Sequence, residues 1–228
     1  MRFGKHGNYY MVKGKKTQLD FGWESPFVNA MNNARSLVAS TTILQEKIQR
    51  LDYMISLITD DLCSDVESHF VYVKHGEFFK FFIPSCAIDD IGNEVTSASN
   101  DITTVDVSKV NVYTVPREIV KISKLADYFL SSKHIDSTEQ SIFYPELNLL
   151  YAADDNNHKI SIMKHSGQGE VLCKVYYLEK IYPFLSSNGN KWKKKHSLNE
   201  DLPVNDFRIP ILYELAKWRY ELKHNIKF

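Results

Sequence analysis

Apolar residues recur at helical spacing from Phe27 onward: Phe27, Ala30, Met31, Ala34, Leu37 and Val38, then Leu44, Ile48, Leu51, Met54, Ile55 and Ile58. The two runs predict two helices. The Ser-Thr stretch Ser40–Thr42 separates them, and Ser25 with Pro26 behind it marks the first N-terminus. The pattern then changes. Phe70–Ile83 reads as a hairpin turning at Lys74-His75-Gly76-Glu77, and residues 86–104 read as a polar, acidic, mobile loop. Val105–Val115 predicts a strand, Pro116–Ser132 a helix, and Ile142–Tyr151 a strand pair or one bent strand, turning at Pro145-Glu146-Leu147-Asn148. A short helix over 156–165 ends at Gly167-Gln168-Gly169, and a strand follows over 171–178. A basic hairpin spans Ser186–Lys195, and a last helix runs from about Pro210 to His224.

This order predicts an α+β fold: a mixed sheet with flanking helices, plus an N-terminal helical extension. The boundaries are 1–24 for a basic arm, 25–60 for the helical extension and 61–228 for the α+β domain, with its core at about 105–178. The broad apolar face without sustained heptads predicts that the extension packs on the domain. No apolar run approaches the ~18 residues that span a bilayer, so no membrane partner and a cytoplasmic location are expected. Cys63, Cys86 and Cys173 have neither disulfide-framework nor CxxC spacing and read as buried thiols.

The net charge is zero, but it is unevenly spread. Residues 60–106 hold two Lys against ten Asp/Glu, whereas residues 189–228 hold nine Lys/Arg against five Asp/Glu. Either the basic ends fold back on the acidic middle, or a basic end meets phosphate. Lys191, Trp192, Lys193 and Lys194 form the sharpest basic cluster and are candidates for nucleic-acid contact. Strand alternation would instead bury Trp192 and solvate the lysines. His134, His165 and His196 lack ligand spacing and read as surface residues.

The segment Asp154-Asp155-Asn156-Asn157-His158-Lys159 lies between a strand and a short helix. Free backbone N–H groups and the helix dipole favour an anion there, and His158 and Lys159 add donors. With Leu150-Tyr151 before it and Gly169-Glu170-Val171 after it, this segment resembles the signature of the ParB/sulfiredoxin-like nuclease fold. That signature is a strand, Asp-Gly-x-His-Arg, a short helix, a glycine and a strand. The resemblance implies a ParB-like sheet and a pocket that binds nucleotide or nucleic-acid phosphate, with phosphoester or nucleotide hydrolysis as its catalytic extension in a bacterial or phage conflict system. It assigns Asp155 and His158 as catalytic, Asn156, Asn157 and Lys159 as phosphate-binding, and a divalent metal ion as the cofactor to test. Asn156 stands in place of the glycine and tolerates positive φ. Lys159 stands in place of the arginine and lacks its bidentate fork. No turn cysteine supports sulfiredoxin-type redox chemistry.

The whole chain also resembles a bacterial family of uncharacterised proteins, through Phe27–Ala34, Asn156-Asn157-His158, Val175-Tyr176-Tyr177 and Lys191-Trp192-Lys193. The alternative function is a non-enzymatic interaction or regulatory protein of a phage or anti-phage system, acting on a protein partner.

Overall fold

Two helices form where the first two apolar runs place them: α1 (Glu24–Ala39) and α2 (Leu44–Tyr72). The computed structural model describes residues 24–72, 83–114, 141–152, 157–167, 169–196 and 202–228. Between the helices, side chains satisfy the exposed backbone ends. The Arg50 guanidinium donates to the Leu37 carbonyl at 2.7 Å and to Ser40 Oγ. Thr41 Oγ1 accepts the Ile43 N–H and donates to the Glu46 carboxylate. Such side-chain bonds stop one helix and start the next.

The expected hairpin at 70–83 is corrected at its start. Residues 70–72 belong to α2, whose buried Ile55, Thr59, Leu62 and Cys63 carry the helical spacing past Ile58. A short apolar run such as Phe70–Val73 fits either element by periodicity alone. Residues 73–82 lie outside the described residues. The expected boundary at residue 60 falls inside α2, and the helical extension shares one core with the last helix.

The expected acidic loop over 86–104 is also corrected. It is a hairpin, β1 (Cys86–Ile88) with β2 (Glu94–Thr96), followed by β3 (Ala98–Asp106). The Asp89 carboxylate accepts the Asn93 N–H at 2.8 Å and the Ile91 N–H at 3.0 Å, which closes the β1–β2 turn. Those bonds, Asn93 foremost, hold Asp89 below its usual carboxylate range. The strand expected over 105–115 is divided. The Asp106 carboxylate accepts the Ser108 N–H at 3.0 Å, turning the chain before β4 (Asn111–Thr114). The helix expected over 116–132 lies outside the described residues.

The strand pair around Pro145–Asn148 forms as read: β5 (Ser141–Tyr144), a 3-10 turn over Pro145–Leu147, Asn148 at φ 48°, and β6 (Leu149–Ala152). The remaining elements are α3 (Asn157–Ser166), β7 (Glu170–Tyr176), β8 (Leu185–Ser187), β9 (Lys191–Lys194), β10 (Leu202–Pro203) and α4 (Arg208–His224). A five-stranded sheet has the order β3-β7-β5-β6-β4. Its β3–β7 and β5–β6 pairs are antiparallel, while β5–β7 and β4–β6 are parallel. The sheet is therefore mixed and the class is α+β, as expected.

Alternation gives this sheet two apolar faces. Leu149 and Tyr151 point into one core with Leu51, Ile55 and Leu62 of α2 and Leu212 and Leu215 of α4. Leu150 and Ala152 point into the other, where Ile160 and Met163 of α3 meet Val112, Val171 and Cys173. Each fully buried leucine or isoleucine contributes roughly 1.5–3 kcal/mol relative to exposure. Helices thus cover both sheet faces, and α3 alone, among the described helices, packs in the second core.

The α3–β7 connection depends on Gly169. Its φ is 129°, and an added Cβ would lie 2.2 Å from Met163 Cε. Gly169→Ala is expected to destabilise the fold by about 1–3 kcal/mol, through overpacking of a buried methionine and a strained backbone. Urea unfolding checks this, and an unchanged midpoint would contradict it.

Candidate functional site

β4 and β6 run parallel and finish level, Thr114 beside Ala152. From Ala152 the chain enters α3 at Asn157. Asp155 and Asn156 lie outside the described residues, as do the side chains of Asn157 and His158. Asn157, His158 and Lys159 are the first three residues of α3, so their backbone N–H groups have no intrahelical acceptor. Lys159 is half-buried. The first turn of α3 carries no acidic residue, and its last turn holds Lys164 and His165. Ile160 and Met163 anchor the helix in the core, and Lys164 Nζ donates to the Val112 carbonyl at 3.3 Å. The start of α3 thus follows, five residues on, the carboxyl end of one strand of a parallel pair, the end at which open α/β sheets place ligands.

The basic hairpin forms, but Trp192 does not serve it as a stacking platform. Its side chain is 1% exposed and stands edge-on to Tyr213 at 5.3 Å between centroids. Strand alternation leaves Lys191 and Lys193 exposed on the opposite face. Lys194 Nζ approaches Cys86 Sγ at 3.7 Å. Asp90 pairs with Lys195 at 3.0 Å and with His196 at 2.5 Å. Lys195, then His196, holds the Asp90 carboxyl below its usual range. His165 and His196 lie at the surface, while His134 is outside the described residues. Cys63 and Cys173 are buried, and Cys86 is partly exposed.

A third cluster was missed in the sequence. Arg208, at the start of α4, is buried among three carboxylates. Asp206 binds it bidentately, with Nε at 3.0 Å and Nη2 at 2.6 Å. Nη2 also reaches Asp65 at 2.7 Å, and Nη1 reaches Asp61 at 3.1 Å. Burial lowers the guanidinium's affinity for its proton, but Asp206 and then Asp65 reverse this and hold it above its ordinary range. The available signal was the i,i+4 pair Asp61/Asp65 on α2. Nothing local in the sequence identifies a partner more than 140 residues away.

The fourth cluster surrounds Glu146. Its Oε1 accepts the Glu179 N–H at 3.2 Å, while its Oε2 and Tyr182 Oη are buried without a hydrogen-bond partner among the described residues. Arg219 does not neutralise this carboxyl. It donates to Asp52 at 2.6 Å and to the Glu146 backbone carbonyl. Burial therefore pushes the Glu146 carboxyl above its usual range, assisted by the charge of Glu179. Tyr144, Tyr177 and Tyr182 feel its charge from the surrounding elements.

Among the described residues, no cluster of three His, Cys, Asp or Glu side chains is placed to hold a metal, and no helix is long and apolar enough to cross a membrane. Fold and clusters together define an α+β protein with a helix-start turn, a basic strand and a buried arginine–carboxylate network. Over residues 12–226 the chain matches the family of unknown function DUF6710, and it belongs to that family. No curated protein and no solved structure matches it.

Two stability predictions follow from the buried charges. Arg208→Met leaves Asp206 buried without its partner and is expected to cost about 3–5 kcal/mol in urea unfolding. A loss below about 1 kcal/mol would contradict that role. Glu146 has a folded-state pKa above its ordinary 4.5. Its proton therefore stabilises the folded state, and the stability is lost as pH rises above 4.5 through the folded value. Glu146→Gln should accordingly raise the melting temperature at pH 7 and match wild type near pH 4. An equal offset at both values would show that Glu146 ionisation is not the cause.

Proposed function

We propose that the protein binds phosphate groups of a nucleotide or nucleic acid at the turn between β6 and α3. The observation that carries this reading is the placement of Asn157, His158 and Lys159 as the first residues of a packed helix. Backbone N–H groups of the first helical turn and the positive end of the helix dipole attract an anion. Lys159 adds a full charge, and His158 a donor. The resemblance of 155–159 to the ParB/sulfiredoxin-like turn points to the same ligand class. In the stronger form of the proposal the site also hydrolyses a phosphoester, with His158 as general acid and Asp155 holding a divalent ion.

A second reading is an interaction protein. Tyr53 and Leu57 stand one turn apart on α2 with 62% and 50% of their surface exposed, which suits contact with a protein partner.

The experiment is titration of a nucleotide, with and without Mg²⁺, against wild type, His158→Ala and Lys159→Ala. Lys159→Ala is expected to weaken binding by about tenfold at low salt and by less at high salt, because salt screens the half-buried charge in part. His158→Ala is expected to reduce binding and to abolish any turnover, with an unchanged circular dichroism spectrum. Binding and activity equal to wild type in both variants would refute the turn as the site and favour the interaction reading.

A further inference from the structure

We propose that the outward face of β9 is a second surface, one that binds the phosphodiester backbone of nucleic acid, and that Asp90 occupies part of it as an intramolecular stand-in for a phosphate. The proposal shares the ligand class of the preceding section but rests on a different surface.

Burial of Trp192 sets the geometry. It fixes the strand so that Lys191 and Lys193 both face solvent. Two residues along a strand span about 6.6 Å, roughly two axial rises of one nucleic-acid strand. With the tryptophan unavailable for stacking, recognition here falls on charge and is independent of sequence. Lys195 and His196 extend the basic row, and Asp90 engages both through a single oxygen, Oδ1. An anionic oxygen held by two nitrogen donors is the arrangement that a phosphate oxygen would adopt there.

Asp90 comes from a separate element. β1 and β2 form a two-stranded sheet of their own and join neither larger sheet. The turn is internally closed by Asp89, so the Asp90 side chain can swing away without breaking that turn. Its carboxylate is 65% exposed and its ion pairs are surface pairs, which are weak enough for a polyanion to displace. Ligand binding would thus exchange one internal anion for several external ones.

The test measures binding of a short labelled oligonucleotide, single-stranded and duplex, at several salt concentrations. Asp90→Asn should bind about fivefold more tightly at low salt, with a log–log salt slope steeper by about one, because Lys195 becomes free to contact phosphate. Lys193→Gln should weaken binding and flatten the slope. The gain from Asp90→Asn should persist when both proteins also carry Lys159→Ala, which separates failure of the turn site from failure of this one. Identical affinity in wild type and Asp90→Asn would overturn the gating role. Absence of oligonucleotide binding in both, or binding only to vesicles rich in anionic lipid, would overturn the assignment to nucleic acid.

Discussion

Arg208 is the point at which the helical layer closes. It opens α4, and the carboxylates of Asp61 and Asp65 hold it against α2, while Asp206 grips it from its own chain segment. A buried guanidinium needs such partners, because an unpaired charge in a core costs several kcal/mol. Apolar contacts among Leu51, Leu62, Leu212 and Leu215 supply attraction between the two helices without strongly specifying their register. The arginine adds direction, because its pairs with Asp61 and Asp65 tie the start of α4 to one stretch of α2. The covering of the first sheet face, with Tyr113 of β4 and Tyr144 of β5, by the helices depends on that placement.

The charge asymmetry along the chain has a corresponding spatial form. Two members of the basic C-terminal stretch, Arg208 and Lys195, pair with Asp61, Asp65 and Asp90 from the acidic middle. The C-terminal stretch therefore does fold back on the middle, while residues 1–23 lie outside the described residues. This accounts for part of the basic excess. The helix α3 packs in the second core, whereas Trp192 beneath the lysines belongs to the first. The two candidate anion surfaces thus belong to different layers of the molecule.

Much of the local architecture was legible because it is written in short-range chemistry. Ser40–Thr42 interrupts the helices, Pro145–Asn148 makes a turn, and Gly167 ends α3 with φ 64°. The strand β3 was not legible. It is an edge strand in which the polar Asn100 and Asp101 are exposed, so its composition imitates a loop. Phe70–Tyr72 failed for the opposite reason, since its apolar content suits both elements. At the site, the start of a short helix near Asn157 was readable from the polar run before it. The inward fate of Trp192 was readable only as one of two alternatives. The Arg208 network was invisible because Asp61 and Asp65 meet the local Asp206–Arg208 pair through tertiary structure alone.

The distance along the chain between those members bears on synthesis. Asp61 and Asp65 leave the ribosome 147 and 143 residues before Arg208. At about 5–20 residues per second, α2 waits roughly 7–30 s for its partner helix. The β3–β7 pairing adds its own delay, joining Thr103 to a strand 70 residues later. During that interval Leu51, Ile55 and Leu62 have no α4 to cover them, and the acids beside them repel one another. The nascent chain therefore passes through a stage in which an acidic, half-apolar helix is a natural client for chaperones, and that stage ends when one arginine arrives.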